Sequence, residues 1–465
     1  MRPLSDDLVC ISPVDGCEYA RRALTPPAEV DRALARARAA QREWARAPLA
    51  ERCAVALRFL DAMERLNAEI VPELAWQMGR PVRYQGELRS LVDRVKGLVA
   101  VAEDALAPDE PEPGGGARRY VTRVPAGLVL VIAPWNYPFL TAANTIVPAL
   151  VAGNAVVLKH ASQTLLAGER FAQALQLAGL PQGLFHNLFL SHEETARLLG
   201  SGLVDHATFT GSVEGGRAIE RAAAGSFTTL TLELGGKDPA YVRADADIAG
   251  AVESLVDGSF YNSGQSCCGV ERIYVDEAVW QPFLDGFVAA TQQYRLGDPL
   301  DRETSLGPMS SARLAGQVRG QVDEAVAAGA EAHIERQLFR ADAAGTAYLM
   351  PQVLTGVDHE MAVMREETFG PVVGIMSVKS DDEAVRLMND SRYGLTASIW
   401  TRDAAAAERI APEVQAGTVF MNRCDYLDPL LAWTGVKESG RGASLGRYGY
   451  EGVTRPKSYH LRSGA

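Results

Sequence analysis

A glutamate and a cysteine in two glycine-flanked segments have the chemistry of a nucleophilic enzyme. Glu233 lies in Leu-Glu-Leu-Gly-Gly-Lys (residues 232–237), and Cys267 ends the segment Gly-Gln-Ser-Cys (residues 264–267). A thiolate is a strong nucleophile, and a carboxylate can act as a general base. Taken alone, a cysteine is more often a small buried hydrophobe and a glutamate a solvated surface residue. The pair therefore indicates an enzyme that uses a sulfur nucleophile and a carboxylate base.

A third segment contains a hydrogen-bond donor. Residues 129–133 are predicted to form a buried strand, which continues into Pro-Trp-Asn-Tyr-Pro (residues 134–138). The two prolines restrict the backbone around Asn136. A donor held in this way can stabilise negative charge on a carbonyl oxygen under nucleophilic attack. A turn with a structural asparagine is the alternative for this segment taken alone.

Alternating strands and helices are predicted to position these residues. Strands are predicted over residues 128–132, 155–158, 184–190, 206–209 and 228–234, and helices around residues 164–178 and 213–224. This alternation is typical of a parallel, doubly wound sheet. Residues 1–107 are predicted to be helical, and residues 108–116 to be an exposed connection before an edge strand at 120–124.

A second α/β region follows the first. Helices are predicted near residues 246–262, 311–328 and 381–389, and strands near residues 371–378, 396–401 and 417–421. Residues 455–461 alternate like a strand that would be left without a partner at the end of the chain. The sequence therefore predicts an α/β protein with more than one domain.

Composition limits the class of protein. The 465 residues, 47% hydrophobic and 22% charged, are typical of a soluble protein with two or three domains. The net charge of −12 argues against nucleic acid or an anionic membrane surface as a partner. Neither a signal peptide nor an apolar run of ~20 residues is recognised. The six cysteines are sparse and lack zinc-type spacing, which predicts a reduced cytoplasmic protein without a metal site.

The motifs together resemble those of the aldehyde dehydrogenase superfamily, in order over nearly the whole chain. The matching segments are residues 134–138, 153–159, 209–212, 232–237, 264–267 and 366–371. The resemblance implies a Rossmann-type cofactor domain over residues 1–232, with residues 110–126 as part of an oligomerisation arm. It implies a catalytic α/β domain over residues 233–435. Residues 436–465 would return to the cofactor domain and end in an oligomerisation strand, so a homodimer or homotetramer is implied.

The resemblance also implies a role for each motif. Cys267 would be the nucleophile, Glu233 the general base, and Asn136 with the backbone N–H of Cys267 the oxyanion hole. Cofactor contacts are implied for Trp135, Lys159, Gly211, Ser212, Glu367 and Phe369. The implied reaction is NAD(P)-dependent oxidation of an aldehyde to the acid through a thiohemiacetal and a thioester. Coenzyme A-dependent acylation and a catalytically silent homologue are the alternatives, and the presence of Glu233 favours hydrolysis.

The strand end at Lys159 bears on cofactor choice. Family members that prefer NAD usually carry a glutamate three places after the matching lysine, where this chain has Ser162. Two like charges ~4 Å apart near a protein surface repel by up to about 4 kcal/mol, so the serine removes a barrier to a 2′-phosphate. We therefore expect Lys159 and Ser162 to allow NADP as well as NAD. His160, where proline is frequent, could alter the turn, and Ser162 could be an ordinary helix-start residue.

Substrate residues are implied by the family register. Tyr137, Thr141, Phe260, Tyr261 and the segment 422–433 would line the aldehyde tunnel, which suggests an apolar, partly aromatic pocket. Arg423 could pair with a substrate carboxylate, although a loop salt bridge with Asp425 or Asp428 is favoured. Aliphatic or aromatic aldehydes are therefore expected rather than semialdehydes. Cys268 is expected to be a packing residue, with a reversible disulfide to Cys267 as the alternative.

Overall fold

The structure is a computed structural model that describes residues 7–111 and 117–462. Residues 112–116 of the predicted connection and arm, and both ends of the chain, lie outside the described residues. The described strands form one six-stranded sheet, one seven-stranded sheet and two antiparallel pairs. No helix in this part of the chain combines the length and apolar character that crossing a bilayer requires.

The strands, in chain order, are β1 (Asp7–Ile11), β2 (Glu18–Ala23), β3 (Ala117–Pro125), β4 (Leu128–Ile132), β5 (Ala155–Lys159), β6 (Phe185–Asn187), β7 (His206–Thr210), β8 (Thr229–Glu233), β9 (Asp238–Val242), β10 (Val270–Asp276), β11 (Glu331–Ala332), β12 (Gln352–Thr355), β13 (Val372–Val378), β14 (Thr396–Trp400), β15 (Thr418–Met421), β16 (Gly440–Arg441) and β17 (Thr454–Arg462).

The helices are α1 (Pro27–Trp44), α2 (Leu49–Met78), α3 (Leu88–Ala100), α4 (Ala102–Leu106), α5 (Pro138–Val151), α6 (Leu165–Leu177), α7 (His192–Gly200), α8 (Val213–Ala223), α9 (Ile248–Phe260), α10 (Trp280–Thr291), α11 (Ala312–Ala327), α12 (Ala362–Arg365), α13 (Asp381–Asn389), α14 (Ala404–Ile410) and α15 (Tyr448–Gly452).

The six-stranded sheet confirms the predicted doubly wound fold. Its order is β16-β8-β7-β4-β5-β6, in which the five strands from β8 to β6 are parallel. All five residues of β4 are buried, as expected for a central strand covered by helices on both faces. The chain reverses direction across the sheet at β4, so the carboxyl ends of β4 and β7 form the crevice where such folds bind ligands.

The seven-stranded sheet has the order β11-β12-β13-β10-β9-β14-β15. The predicted strands near residues 371–378, 396–401 and 417–421 are confirmed as β13, β14 and β15. Strands β9 and β10 were not predicted, although both are almost wholly buried. Pro239 within β9 argues against a strand at the sequence level, since proline cannot donate to a sheet ladder.

Two expectations for the chain ends are wrong. Residues 7–23 contain the antiparallel strands β1 and β2 rather than helix, because these short, half-exposed strands lack a clear apolar alternation. The C-terminal strand β17 is not left without a partner, because it pairs antiparallel with β3 of the same chain. The rings of Tyr120 and Tyr459 stack across this pair with their centroids 4.5 Å apart, which fixes the register.

Candidate active site

Glu233 is the last residue of β8, and its carboxylate is buried. The hydroxyl of Thr210 donates a hydrogen bond to Oε2 at 2.9 Å, and the hydroxyl of Ser444 donates to Oε1. Burial raises the pKa of Glu233 above its ordinary value, and the two hydroxyl donors partly offset this rise. The carboxylate is therefore held in one orientation and is a stronger base than a solvated one. Ser444 escaped the sequence analysis because it lies in an unremarkable loop.

Cys267 lies between a 3₁₀ turn at Tyr261–Gly264 and β10, and its side chain is only partly buried. The turn is tightly constrained. Gly264 has φ +68°, and a Cβ there would lie 2.2 Å from the carbonyl oxygen of Gly370. Only glycine fits this approach, because any side chain would collide with backbone. The loop that presents the thiol is therefore packed closely against the backbone of Gly370.

Asn136 follows β4, is buried, and contacts the same loop. Its Nδ2 donates to the carbonyl oxygen of Gln265 at 3.1 Å. The backbone carbonyl oxygen of Asn136 accepts a hydrogen bond from Nη2 of Arg80 at 2.6 Å and another from Nδ2 of Asn262 at 3.1 Å. These bonds join the turn after β4 to the loop of Cys267. The structure thus brings the predicted nucleophile and the predicted oxyanion donor together.

Arg80 is a structural residue of this site that the sequence analysis missed. Its Nη1 lies 2.6 Å from Oε1 of Glu87, and both side chains are buried. The other oxygen of Glu87 accepts from the backbone N–H groups of Phe139 at 3.1 Å and Leu140 at 2.8 Å. The pair therefore connects the start of α5 to the backbone of Asn136.

Two cavities meet at the predicted nucleophile and base. One has a volume of about 280 Å³ and the other about 430 Å³, and both are lined by Thr210, Glu233, Leu234 and Cys267. The larger cavity is also lined by Trp135, Asn136, Gly211, Ser212, Glu367 and Phe369. The thiol and the carboxylate therefore lie where a ligand in one cavity would contact a ligand in the other.

The larger cavity fits a dinucleotide by the chemistry of its lining. Ser212 caps α8, its hydroxyl accepting from the N–H of Gly215 at 3.2 Å, and a helix N-terminus suits a phosphate. Trp135 and Phe369 present ring surfaces, with centroids 5.5 Å apart. Burial raises the pKa of Glu367 to about 8, and its oxygens suit ribose hydroxyls. The five predicted cofactor residues that line this cavity are thus brought together.

Lys159 and Ser162 lie apart from that cavity. Lys159 ends β5 and is partly buried, which lowers its pKa, and no ion pair to it occurs in residues 7–111 and 117–462. Ser162 is exposed at the start of a 3₁₀ turn (Ser162–Thr164). His160, in the place of the usual proline, bonds through Nε2 to the carbonyl of Pro138 at 3.1 Å and through Nδ1 to Thr164 at 3.1 Å. The histidine therefore fixes the turn rather than disrupting it.

The smaller cavity corrects the expected tunnel lining. Tyr137, Thr141 and Tyr261 line it. Phe260 does not, because it is buried in the core with its ring centroid 6.0 Å from that of Phe287. Arg423 is exposed, stacks on Tyr426 and does not line this cavity, and the favoured salt bridge to Asp425 or Asp428 does not occur in the described residues.

The smaller cavity has aromatic residues in its lining, as expected of an apolar, partly aromatic pocket, but charged groups line it as well. They include Arg94, Asp257 and Asp425. The carboxylate of Asp425 accepts from the hydroxyl of Ser266 at 2.7 Å and from the thiol of Cys268 at 3.0 Å, and burial raises its pKa. These residues are distant in sequence, so their convergence on one cavity was not evident from the motifs.

A sequence model of the aldehyde dehydrogenase family matches residues 3–459. The chain belongs to this family. It is 33% identical over 440 residues to the NADP(+) succinate-semialdehyde dehydrogenase of Mycobacterium avium, covering 94% of this chain and 93% of that one. It is 34% identical over 456 residues to the betaine aldehyde dehydrogenase of Agrobacterium fabrum, covering 98% of this chain and 92% of that one.

Solved structures agree with this assignment. The succinic semialdehyde dehydrogenase of Streptococcus pyogenes in complex with NADP+ superposes with a TM-score of 0.93 at 27% identity, covering 98% of this chain and 100% of that one. A structure of Gox0499 superposes with a TM-score of 0.93 at 32% identity, covering 98% of this chain and 100% of that one. The predicted family, fold and enzyme class, NAD(P)-dependent aldehyde oxidation, are thereby confirmed.

Proposed function

We propose that this aldehyde dehydrogenase oxidises its substrate to the carboxylic acid with Cys267 as nucleophile and Glu233 as general base. The observation that carries the proposal is the position of both residues at the junction of the two cavities. An aldehyde in the smaller cavity would present its carbonyl carbon to the thiol and to the larger cavity at once.

In the first step the thiol of Cys267 loses its proton to solvent, the resulting thiolate adds to the carbonyl carbon, and the oxygen becomes an oxyanion. The backbone N–H of Cys267 and Nδ2 of Asn136 stabilise this charge. One N–H of Asn136 already donates to Gln265, and an amide group has a second to donate. The larger cavity would hold the nicotinamide cofactor through residues such as Trp135, Ser212 and Glu367, and the cofactor would supply the hydride acceptor for the same carbon. Cys267 would then hold the acyl group as a thioester.

In the second step Glu233 removes a proton from water, and the water oxygen attacks the thioester carbon. The thiolate of Cys267 leaves, and the carboxylic acid is released. Thr210 and Ser444 hold the carboxylate of Glu233 through the step. The raised pKa of Glu233 increases its basicity, which general base catalysis requires.

Two variants test these roles and separate hydrolysis from the alternatives. Glu233→Gln should retain a burst of reduced nicotinamide, because thioester formation does not need the base, but should slow steady-state turnover. Cys267→Ala should abolish both the burst and the turnover. An unchanged steady rate in either variant would refute the role assigned to that residue. Faster turnover when coenzyme A is added would favour the acylating alternative, and an inactive wild type the silent homologue.

NADP is proposed as a cofactor alongside NAD. Ser162 leaves the end of β5 without a carboxylate that would repel a 2′-phosphate. Lys159 has no ion pair in the described residues, so its charge is available to bind that phosphate. The names of the Mycobacterium avium and Streptococcus pyogenes relatives also specify NADP+. Initial rates with each cofactor at a fixed aldehyde concentration test this proposal. If only NAD supports turnover, the argument from Ser162 is wrong.

The names of the relatives do not decide the substrate. Succinate semialdehyde carries a carboxylate and betaine aldehyde a quaternary ammonium, yet the chain is similar to both enzymes at 33% and 34% identity. The choice between an anionic and a cationic aldehyde must therefore come from the residues of the smaller cavity.

A cytoplasmic homodimer or homotetramer is proposed for the assembled protein. In the ribbon of β3 and β17, the outer edge of β17 is one that a second copy can extend by strand pairing, whereas the outer edge of β3 already bonds to Asp109 at Val121. All six cysteines are unpaired, which suits a reducing compartment. Light scattering during gel filtration tests the assembly, since a monomer mass would refute it, and cell fractionation tests the location.

A further inference from the structure

Arg94 is a buried cation that lines the smaller cavity. It lies on α3, and only 5% of its surface is exposed. Its Nη1 donates to Oδ1 of Asn144, on α5, at 2.5 Å, and no further hydrogen bond or ion pair to its side chain occurs in the described part of the chain. A guanidinium carries five N–H donors, so most of its bonding capacity is unused.

Arg94 differs in this respect from the other buried cations. Four lysine or arginine side chains in the described part are buried. Arg80 pairs with Glu87, and Lys237 pairs with Glu271. The guanidinium of Arg272 donates to several backbone carbonyl oxygens. A buried charge is costly unless it is paired, so an uncompensated arginine facing a cavity indicates that its partner is a ligand.

The carboxylates that line the smaller cavity do not act as the partner of Arg94. Both oxygens of Glu233 accept hydrogen bonds from hydroxyl groups, although its charge attracts Arg94 at longer range. Asp425 accepts from Ser266 and Cys268. Glu87 pairs with Arg80. None of the five carboxylates that line the cavity lies within ion-pair distance of Arg94 in the residues that the structure covers; they are Glu87, Asp93, Glu233, Asp257 and Asp425.

We propose that Arg94 binds a carboxylate at the far end of a short aldehyde substrate, which makes the substrate an oxo acid. This inference rests on the proposed function, because it assumes that the aldehyde carbon lies at Cys267. The cavity of about 280 Å³ suits a chain of a few carbons. Asn144 holds the guanidinium from the side, which leaves its remaining N–H groups for a two-point contact with the carboxylate.

Three four-carbon aldehydes that differ only at the far end test the proposal. They are 4-oxobutanoate, which is anionic, butanal, which is neutral, and 4-(trimethylammonio)butanal, which is cationic and cannot cyclise. The wild-type kcat/KM should be roughly a hundredfold higher for the anion than for butanal. Arg94→Met should remove most of this preference, mainly by raising the KM for 4-oxobutanoate, and should change the kcat/KM for butanal much less. Arg94→Lys should retain part of the preference, because it keeps the charge but not the planar fork.

The controls separate specificity from indirect effects. Arg65→Met removes an exposed charge of α2 and should leave all three rates unchanged. If Arg94 served only as a counter-charge to Glu233, Arg94→Met would slow all three aldehydes equally, and the proposal would be overturned. Two results with the wild type would also overturn the proposal, and neither depends on how the variants fold. They are equal rates for the three aldehydes and a preference for 4-(trimethylammonio)butanal. Inactivity of the wild type on every aldehyde would instead overturn the proposed function.

Discussion

Ser444 donates a hydrogen bond to Glu233 although 211 positions separate the two residues in the chain. Ser444 lies between β16 and α15, in the part of the chain that returns to the six-stranded sheet after the second sheet is complete. Its backbone also pairs with that of Trp433, which lines the smaller cavity. The proposed base is therefore oriented by a loop that also helps to form the substrate cavity.

Ser444→Ala should shift the pH dependence of turnover. The Ser444 hydroxyl stabilises the carboxylate form of Glu233, so its removal raises the pKa of Glu233 further. Less of the base is then ionised at a given pH, and the acid limb of the kcat profile moves to higher pH. A pH series of steady-state rates measures the shift. The exposed Ser201→Ala serves as the control, and an acid limb that stays in place in Ser444→Ala would contradict the assignment.

The proposed catalytic residues could be identified from sequence because each lies in a short, self-contained motif. Prolines around Asn136 and glycines beside Glu233 and Cys267 mark unusual backbone, which local sequence reveals. Arg94 and Ser444 carry no such mark. Whether an arginine on a helix is solvated or buried depends on what packs over it, here α5, and that is a property of the tertiary structure.

Ser162→Glu should shift the cofactor preference towards NAD. The new carboxylate would lie close to the site proposed for the 2′-phosphate, and repulsion between two such charges reaches up to about 4 kcal/mol at close range. We expect kcat/KM for NADP to fall by roughly ten- to a hundredfold while that for NAD is kept or improved. Ser162→Ala is the matched neutral control and should change the kcat/KM for NADP and that for NAD only slightly. Equal losses with both cofactors would indicate damage to the turn instead.

Lys237→Met should destabilise the protein and weaken cofactor binding. Lys237 donates to Glu271 and, at 2.9 Å, to Thr368. Glu271 also accepts from the backbone N–H of Phe369 at 2.8 Å, so this buried pair holds the segment that contains Glu367. Removing one partner of a buried pair typically costs about 3–5 kcal/mol. Urea unfolding and the KM for cofactor measure the two effects.

The second partner provides a control for Lys237. Lys237→Met combined with Glu271→Gln should recover part of the lost stability, because no buried charge then lacks its partner. The exposed Lys379→Met should change unfolding little. A double variant no more stable than the single one would show that the charge of Glu271 is not the source of the loss.

Arg80→Met should cost stability in a manner that depends on pH. The substitution leaves Glu87 buried without its cation, and the expected loss is about 3–5 kcal/mol near neutral pH. Burial already raises the pKa of Glu87, and without Arg80 it rises further above the unfolded value. A group with a raised folded pKa favours the folded state below its unfolded pKa, near 4.3 for glutamate, and loses that contribution as pH increases. The loss in free energy of unfolding relative to wild type should therefore be smaller at about pH 5 than at pH 8, as measured by urea unfolding.

A second substitution, Glu87→Gln in the Arg80→Met chain, should remove this pH dependence. If Arg80→Met lost the same free energy of unfolding at both pH values, Arg80 would act through packing rather than through its charge.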